Sequence, residues 1–155
     1  MRRSDRERDR EFAYGVIDRC EYGVAAFATG SGAPYCVPLS LARVGDELFF
    51  HCAPEGRKLE LLRADPRVCV SFVCDTKPAY VADKNNYTTY FKSAVVTGTA
   101  FEVTDAQQKA AALRALCEKL LPGHMDGFDR AVERSLGVTG VWGIRMETAT
   151  GKEKA

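Results

Sequence analysis

The spacing of apolar residues changes along the chain, and each spacing predicts a different element. Phe12, Val16, Ile17 and Cys20 recur at helical intervals, so residues 5–20 are predicted to form an amphipathic helix. Further helices are predicted by the same criterion over residues 57–64, 105–120 and 128–136. Asp65–Pro66 ends the second of these, because the residue before a proline disfavours helical geometry.

Strand-like patterns occupy six further segments, namely residues 22–28, 35–43, 48–52, 67–74, 91–103 and 138–148. Residues 67–74 are almost continuously apolar, which predicts burial on both faces. Pro38 cannot donate to a ladder and therefore indicates an edge strand or an interruption. Gly98 indicates a bend or bulge. Residues 75–90 are polar and aromatic with weak periodicity, and they fit either an active-site rim or a surface loop.

Sequential strands with segregated helices predict the α+β class and one domain over residues 1–155. We expect a six-stranded, mostly antiparallel split β-barrel with flanking helices. A barrel this small fills its interior with side chains. A ligand is therefore expected in an outer groove or between subunits.

Charge and cysteine usage exclude several classes of function. The 22 Lys and Arg residues balance 21 Asp and Glu residues, so no sequence-wide attraction to nucleic acid or anionic lipid is expected. No apolar run is long enough to cross a membrane, and no signal peptide precedes the first helix, which predicts a cytoplasmic protein without membrane partners. The six cysteines are scattered without a CxxC pair, so they are predicted to be buried and reduced. With two histidines and no ligand spacing, no metal site is predicted.

The segment FFHCAPEGRKLELL, residues 49–62, places Arg57 and Lys58 at the start of a helix. Cations are disfavoured there by the helix dipole unless an anion binds beside them. Unpaired N–H groups, both cations and a closely approaching Gly56 together suit a phosphate, to which His51 could donate another hydrogen bond. The alternative is that Arg57 and Lys58 pair with Glu55, Glu60 or water, and that His51 is only a strand-end residue.

At this point a family resemblance becomes visible in an ordered series of motifs: MRRSDRE, YCVPLSL, LFFHCAPEGRKLELL, DPRVCVSF, FKSAVVTGTAFEV and ETATGKEK. In this order and spacing, over nearly the whole chain, they resemble the nitroimidazole-resistance branch of the pyridoxamine 5′-phosphate oxidase-like flavoproteins, an FMN-binding split-barrel superfamily. The arginine-rich ending of the true pyridoxamine phosphate oxidases has no counterpart in GIRMETATGKEKA, which argues against vitamin B6 oxidation.

The resemblance implies a homodimer with FMN in a groove at the dimer interface. It places the flavin ring along Pro38, Leu39, Ser40 and Leu41. It also implies phosphate contacts from the stretch that contains His51, Cys52, Ala53, Gly56, Arg57 and Lys58, and a further contact from Ser93. A strand hydroxyl that points to solvent is the alternative for Ser93.

The leading functional prediction is an FMN-dependent oxidoreductase. It would pass electrons from a nicotinamide cofactor to a small electron-poor acceptor, such as a nitro-aromatic or a quinone. His51 is the candidate catalytic residue, because its reference pKa suits proton transfer. Two alternatives stay open: a non-catalytic flavin-, deazaflavin- or haem-binding protein, with His51 or His124 as axial ligand, and an interaction module whose groove is filled by side chains.

Overall fold

Four helices flank one antiparallel sheet in the computed structural model, which describes residues 3–30 and 32–155. The helices are α1 (Arg10–Arg19), α2 (Arg57–Ala64), α3 (Ala106–Leu120) and α4 (Phe128–Ser135). The strands are β1 (Glu7–Arg8), β2 (Gly23–Phe27), β3 (Tyr35–Leu39), β4 (Ala42–Val44), β5 (Glu47–Cys52), β6 (Arg67–Val81), β7 (Asn86–Glu102) and β8 (Gly140–Lys154). Short 3-10 turns cover Ser4–Arg6, Ala82–Lys84 and Pro122–Gly127.

The sheet has the order β3-β2-β6-β7-β8-β5-β4, and β1 pairs with β8. The predicted α+β class and antiparallel pairing are confirmed, but the predicted number of six strands is wrong because the sheet has eight. The predicted second strand is broken at residues 40–41 into β3 and β4. The two-residue β1 exists only through its pairing with residues 151–152, which no local pattern reveals.

The start of α1 also differs from the predicted helix over residues 5–20. Helix α1 begins at Arg10, because the side chain of Asp9 caps it by accepting a hydrogen bond from the Phe12 N–H. Ser31, which lies between the first two predicted strands, and residues 1–2 of the first motif lie outside the described part.

Residues 75–90 form paired strands instead of a surface loop, and their part in an active-site rim stays a prediction. Strands β6 and β7 continue as a paired hairpin, with Lys77 opposite Tyr90 and Val81 opposite Asn86. A register shift between Cys74 and Lys77 separates this arm from the rest of the sheet. The rings of Tyr80 and Tyr87 lie 4.7 Å apart across the arm, a pairing that stabilises strands without a core beneath them.

The inner face of the sheet carries the core. Val68, Val70 and Phe72 of β6 belong to the cluster that includes the apolar sides of α1 and α2. The predicted burial of β6 on both faces is wrong within one chain, because no helix covers its outer face: Ser71 and Val73 are exposed there.

Pro38 and Gly98 behave as predicted. Pro38 lies in β3, the edge strand that pairs with β2. Gly98 marks a register shift between β7 and β8, and a Cβ at this position would approach the Arg145 carbonyl oxygen to 2.2 Å. That close approach explains why the bulge requires a glycine.

The cysteines are all free thiols, although the prediction that they are buried holds only in part. Cys20 and Cys52 are buried, whereas Cys36 is exposed on the edge strand. Among the residues that the structure describes, no helix is long and apolar enough to cross a membrane.

Candidate functional site

The start of α2 is built by a glycine in a conformation that side chains disfavour. Gly56 has φ +129°, and its carbonyl oxygen accepts the N–H groups of Leu59 and Glu60. The helix therefore begins at Arg57, as the sequence predicts. The first N–H groups of a helix have no partner within it, so they remain available to an anion placed at this end.

The two cations at this helix start have weak partners or none. Arg57 is largely exposed and lies 3.5 Å from Glu60, so the predicted alternative pairing forms only at the limit of a hydrogen bond. An exposed pair of this kind contributes little stability. Lys58 is half-buried, with Nζ 5.7 Å from the Phe50 ring centre, and it has no carboxylate partner in the described part of the chain.

A cavity of about 260 Å³ joins this helix start to the edge strand β3. It is lined by Tyr35, Val37, Pro38, Leu39, Ala53, Glu55, Gly56, Arg57 and Lys58. The structure thus brings Pro38 and Leu39, predicted for the flavin ring, beside Arg57 and Lys58, predicted for its phosphate. The volume lies slightly below the roughly 300–1,000 Å³ typical of ligand pockets.

His51 and Cys52 do not line this cavity. Side chains alternate along β5, so that Phe50 and Cys52 face the core while His51 projects from the opposite face and is exposed. Burial raises the pKa of the Cys52 thiol. The orientation of Cys52 leaves only its backbone groups for contact with a ligand, and the catalytic role of His51 stays a prediction.

Ser93 lies elsewhere in the sheet. It belongs to β7, three strand positions from β3, and its hydroxyl donates to the Lys152 carbonyl oxygen at 3.4 Å. With neighbouring strands about 4.8 Å apart, three steps amount to about 14 Å. Within one chain Ser93 is not brought together with Arg57 and Lys58, and its predicted contact stays a prediction.

Ser40 and Leu41 form the break between β3 and β4, directly after the cavity-lining Leu39. Leu41 is fully buried, and its carbonyl oxygen accepts a hydrogen bond from Lys119 Nζ at 2.6 Å. Sequence reasoning missed Lys119. The available signal was its spacing, because Lys119 follows Ala112 and Leu116 on the buried side of α3.

Taken together, an antiparallel sheet broken at an edge strand, flanking helices and a cationic groove define a split-barrel protein. Residues 9–153 match the family described as Pyridoxamine 5′-phosphate oxidase. Since the match spans nearly the whole chain, the protein belongs to this family, which confirms the resemblance seen in the motifs. A comparison with curated proteins finds no match.

Solved structures share the fold. A candidate 5-nitroimidazole antibiotic resistance protein from Bacteroides thetaiotaomicron is 26% identical, with a TM-score of 0.79 over 94% of this chain and 84% of that chain. The flavocytochrome Anf3 from Azotobacter vinelandii is 22% identical, with a TM-score of 0.81 over 100% of this chain and 72% of that chain. An FAD and heme binding protein from Mycobacterium smegmatis is 22% identical, with a TM-score of 0.75 over 94% and 71%. The last two, at 22% identity, show the fold alone.

Proposed function

We propose that the protein is an FMN-dependent oxidoreductase that reduces a small electron-poor acceptor of the nitro-aromatic or quinone type. The observation that carries the proposal is the groove in which edge strand β3 faces a glycine-capped helix start with two weakly partnered cations. Family membership supports a flavin in this groove. The 26% identical relative named for nitroimidazole resistance supports the class of acceptor.

The residues present fit the phosphate end of FMN. Arg57, Lys58 and the first N–H groups of α2 offer charged and neutral donors at one end of the helix. Gly56 leaves open space where a Cβ would stand, so a ligand atom can approach the backbone. FMN, when bound, supplies the acceptance of hydride from a nicotinamide cofactor and the transfer of electrons to the acceptor.

The ring end is assigned to residues 38–41, at the edge of the sheet. Pro38 has no N–H to donate to another strand, and Ser40 and Leu41 lie outside both flanking strands. Backbone groups that are not used in a ladder can hydrogen-bond the edge of a flavin ring and tune its electronics. The protein therefore binds and orients the flavin, and the groove restricts which acceptors reach it.

The proposal includes a homodimer whose second subunit completes the site. The cavity in one chain is small, and the outer sheet face exposes Val24, Val73 and Val95. Apolar side chains on a face without covering helices favour an interface between two copies. Ser93 projects from this same outer face, so in the dimer it would reach the flavin bound to the partner subunit.

Titration of the purified protein tests the proposal directly. We expect FMN to bind more tightly than riboflavin, and the bound flavin to be bleached by NADH or NADPH under anaerobic conditions and restored by a nitroimidazole or a quinone. Restoration by none of several such acceptors would contradict the oxidoreductase function while leaving flavin binding intact. A Soret band on adding haemin, without any flavin signal, would favour the haem-binding alternative.

His51 enters the proposal as the proton donor, since an imidazolium group can act as a general acid. Replacement His51→Gln is expected to leave FMN affinity unchanged, because His51 lies outside the cavity. Turnover should fall by about 10²–10⁴-fold, the usual contribution of a general acid or base. Unchanged turnover in the folded variant would remove His51 from the mechanism.

A further inference from the structure

Lys119 lies in the last turn of α3, and its ammonium group bridges two main-chain carbonyl groups from different elements. Nζ donates to the Ile17 oxygen of α1 at 2.9 Å and to the Leu41 oxygen at 2.6 Å. Ile17 and Leu41 are both fully buried, and Lys119 is half-buried. A flexible, charged side chain is thus held between three parts of the fold.

The surroundings of this ammonium group leave it few other partners. Within residues 3–30 and 32–155 no carboxylate lies within salt-bridge distance of Lys119. The nearby Asp18 accepts hydrogen bonds from Nε and Nη2 of Arg43, at 3.0 and 2.6 Å. A buried charge without hydrogen bonds is costly, so these two carbonyl contacts are what make the position tolerable for lysine.

Each carbonyl group in turn needs an external donor. Ile17 belongs to the last turn of α1, where carbonyl groups have no intrahelical partner and a cation is favoured. Leu41 lies in the break between β3 and β4, outside both strands. Lys119 therefore ties the break in the edge strand to the C-terminal ends of α1 and α3.

We propose that Lys119 is a positioning residue for the cofactor, acting through residues 38–41. By holding the Leu41 carbonyl group toward α1 and α3, it fixes the backbone of the break, so that the partly exposed Ser40 presents one arrangement of its groups to the flavin ring. This inference rests on the proposed function, since the flavin ring is assigned to that segment. Lys119 does not line the cavity itself.

The two ends of FMN allow the role of Lys119 to be distinguished from that of Arg57 and Lys58. Arg57 and Lys58 are assigned to the phosphate, which riboflavin lacks, whereas Lys119 acts on the ring end, which both flavins share. Replacement Lys119→Met should therefore weaken FMN and riboflavin alike, by about ten- to a hundredfold, as expected for loss of a charge-assisted hydrogen bond. The visible absorption bands of the bound flavin should shift as well, because its ring contacts change.

The same helix supplies a matched control. Lys109 of α3 is also half-buried and donates to a main-chain carbonyl oxygen, that of Leu136, at 2.8 Å. Lys109→Met removes an equivalent charge and contact far from residues 38–41, so flavin affinity should stay within about twofold. Lys119→Arg keeps a cationic donor and should restore part of the lost affinity.

The inference is overturned if folded Lys119→Met binds FMN and riboflavin as the wild type does. Should Lys119→Met fail to fold, Lys119→Gln decides, since its neutral amide group sits on a side chain one bond shorter and cannot reproduce both contacts of the ammonium group; wild-type affinity for both flavins in that variant overturns the inference equally. If the wild type binds no flavin, the proposed function fails instead. Amide hydrogen exchange at residues 40–42 of the apo-protein then tests the positioning alone, because it should be faster in Lys119→Met than in Lys109→Met.

Discussion

One cationic region lines the groove, a second supports the strand break that follows its edge strand, and the two are built in opposite ways. At the start of α2, Arg57 and Lys58 stand where the helix dipole disfavours cations, with only a 3.5 Å contact to Glu60 between them. At the break after β3, Lys119 stands in the last turn of α3, where the dipole favours a cation, and donates to two buried carbonyl groups. The cations at the start of α2 are left almost without partners in the described part of the chain, whereas the Lys119 ammonium group is satisfied internally.

The difference can be read from contacts alone. A cation that folding itself requires finds acceptors within the chain, because an unpaired buried charge is costly. A cation that remains exposed, weakly paired and badly placed for the dipole gains little for the fold. A cation of this second kind beside a cavity therefore indicates a binding role more strongly than a cation with internal acceptors.

The test with the largest expected effect on FMN affinity is the double replacement Arg57→Ala and Lys58→Ala. If both residues contact the FMN phosphate, each contact is worth about 1.5–3 kcal/mol, so FMN affinity should fall by about two to four decades. Riboflavin affinity should change far less. The free energy of unfolding of the apo-protein should not fall, because the lost cations opposed the helix dipole.

A charge-matched control is available on α4. Arg130→Ala with Arg134→Ala also removes two exposed cations, and neither residue lines the cavity. Isothermal titration with FMN and riboflavin separates the two double variants. Equal effects of both on FMN would reduce the role of Arg57 and Lys58 to general electrostatics, and a loss of stability with unchanged FMN affinity would make them structural surface charges.

A second test asks whether a dimer, and not a single chain, is needed to bind FMN. Val73 is 55% exposed on the outer sheet face. Val73→Asp should raise the dimer dissociation constant by about one to two decades, because an unpaired carboxylate is costly in an apolar interface. Sedimentation velocity at several concentrations measures this, and FMN affinity should fall in parallel.

Val138→Asp is the control for this test, since Val138 is 73% exposed and lies outside the sheet. It should leave both the dimer and FMN binding unchanged. A wild-type protein that stays monomeric at micromolar concentration while binding FMN tightly would show that the second subunit is not needed.

The smallest expected effect concerns the pH dependence of stability. Burial lowers the pKa of Lys119 below its ordinary value of 10.5, and Arg43 adds to this, while Asp18 and Cys20 oppose it. Between the lowered pKa and 10.5 the unfolded chain binds more protons than the folded one, so this group makes the free energy of unfolding rise with pH. Comparing wild type with Lys119→Met by chemical denaturation should isolate that rise.

Cys20 acts in the opposite direction and is present in both proteins. Burial raises the pKa of its thiol from 9.0 to about 11, so the stability it contributes at lower pH is lost as pH rises through this range. The difference between the two pH profiles therefore removes most of its effect. Parallel profiles for wild type and Lys119→Met would show that the Lys119 ammonium group is not desolvated.

The sequence correctly predicted those features that neighbouring residues in the chain determine, such as helix ends, the bulge and the edge strand. Helix α2 begins at Arg57 and ends before Asp65–Pro66, the bulge falls at Gly98, and Pro38 lies in an edge strand. For the site, Gly56, Arg57, Lys58, Pro38 and Leu39 were found through helix-end chemistry and the family motifs together, and they line one cavity.

Features that depend on contacts between residues far apart in the sequence were predicted less well. Strand β1 depends on β8, and the arm over residues 75–90 depends on cross-strand pairs such as Tyr80 with Tyr87. The exposed outer face of β6 was missed because an apolar run does not reveal what covers each side. Lys119 was missed because its partners are backbone carbonyl groups, which leave no trace in the residue types around them.

The position of β8 determines when the sheet can be completed. This strand, residues 140–154, lies between β7 and β5 and also holds β1, so the two halves of the sheet meet only through it. On a ribosome, β5 can pair with β4 at once but is synthesised long before β8, its second partner. Such sequence-distant pairing is slow to form, and the unpaired edge is open to pairing with other nascent chains until β8 has been made. Chaperones that shield unpaired strands should therefore matter most in the interval between the synthesis of β5 and that of β8.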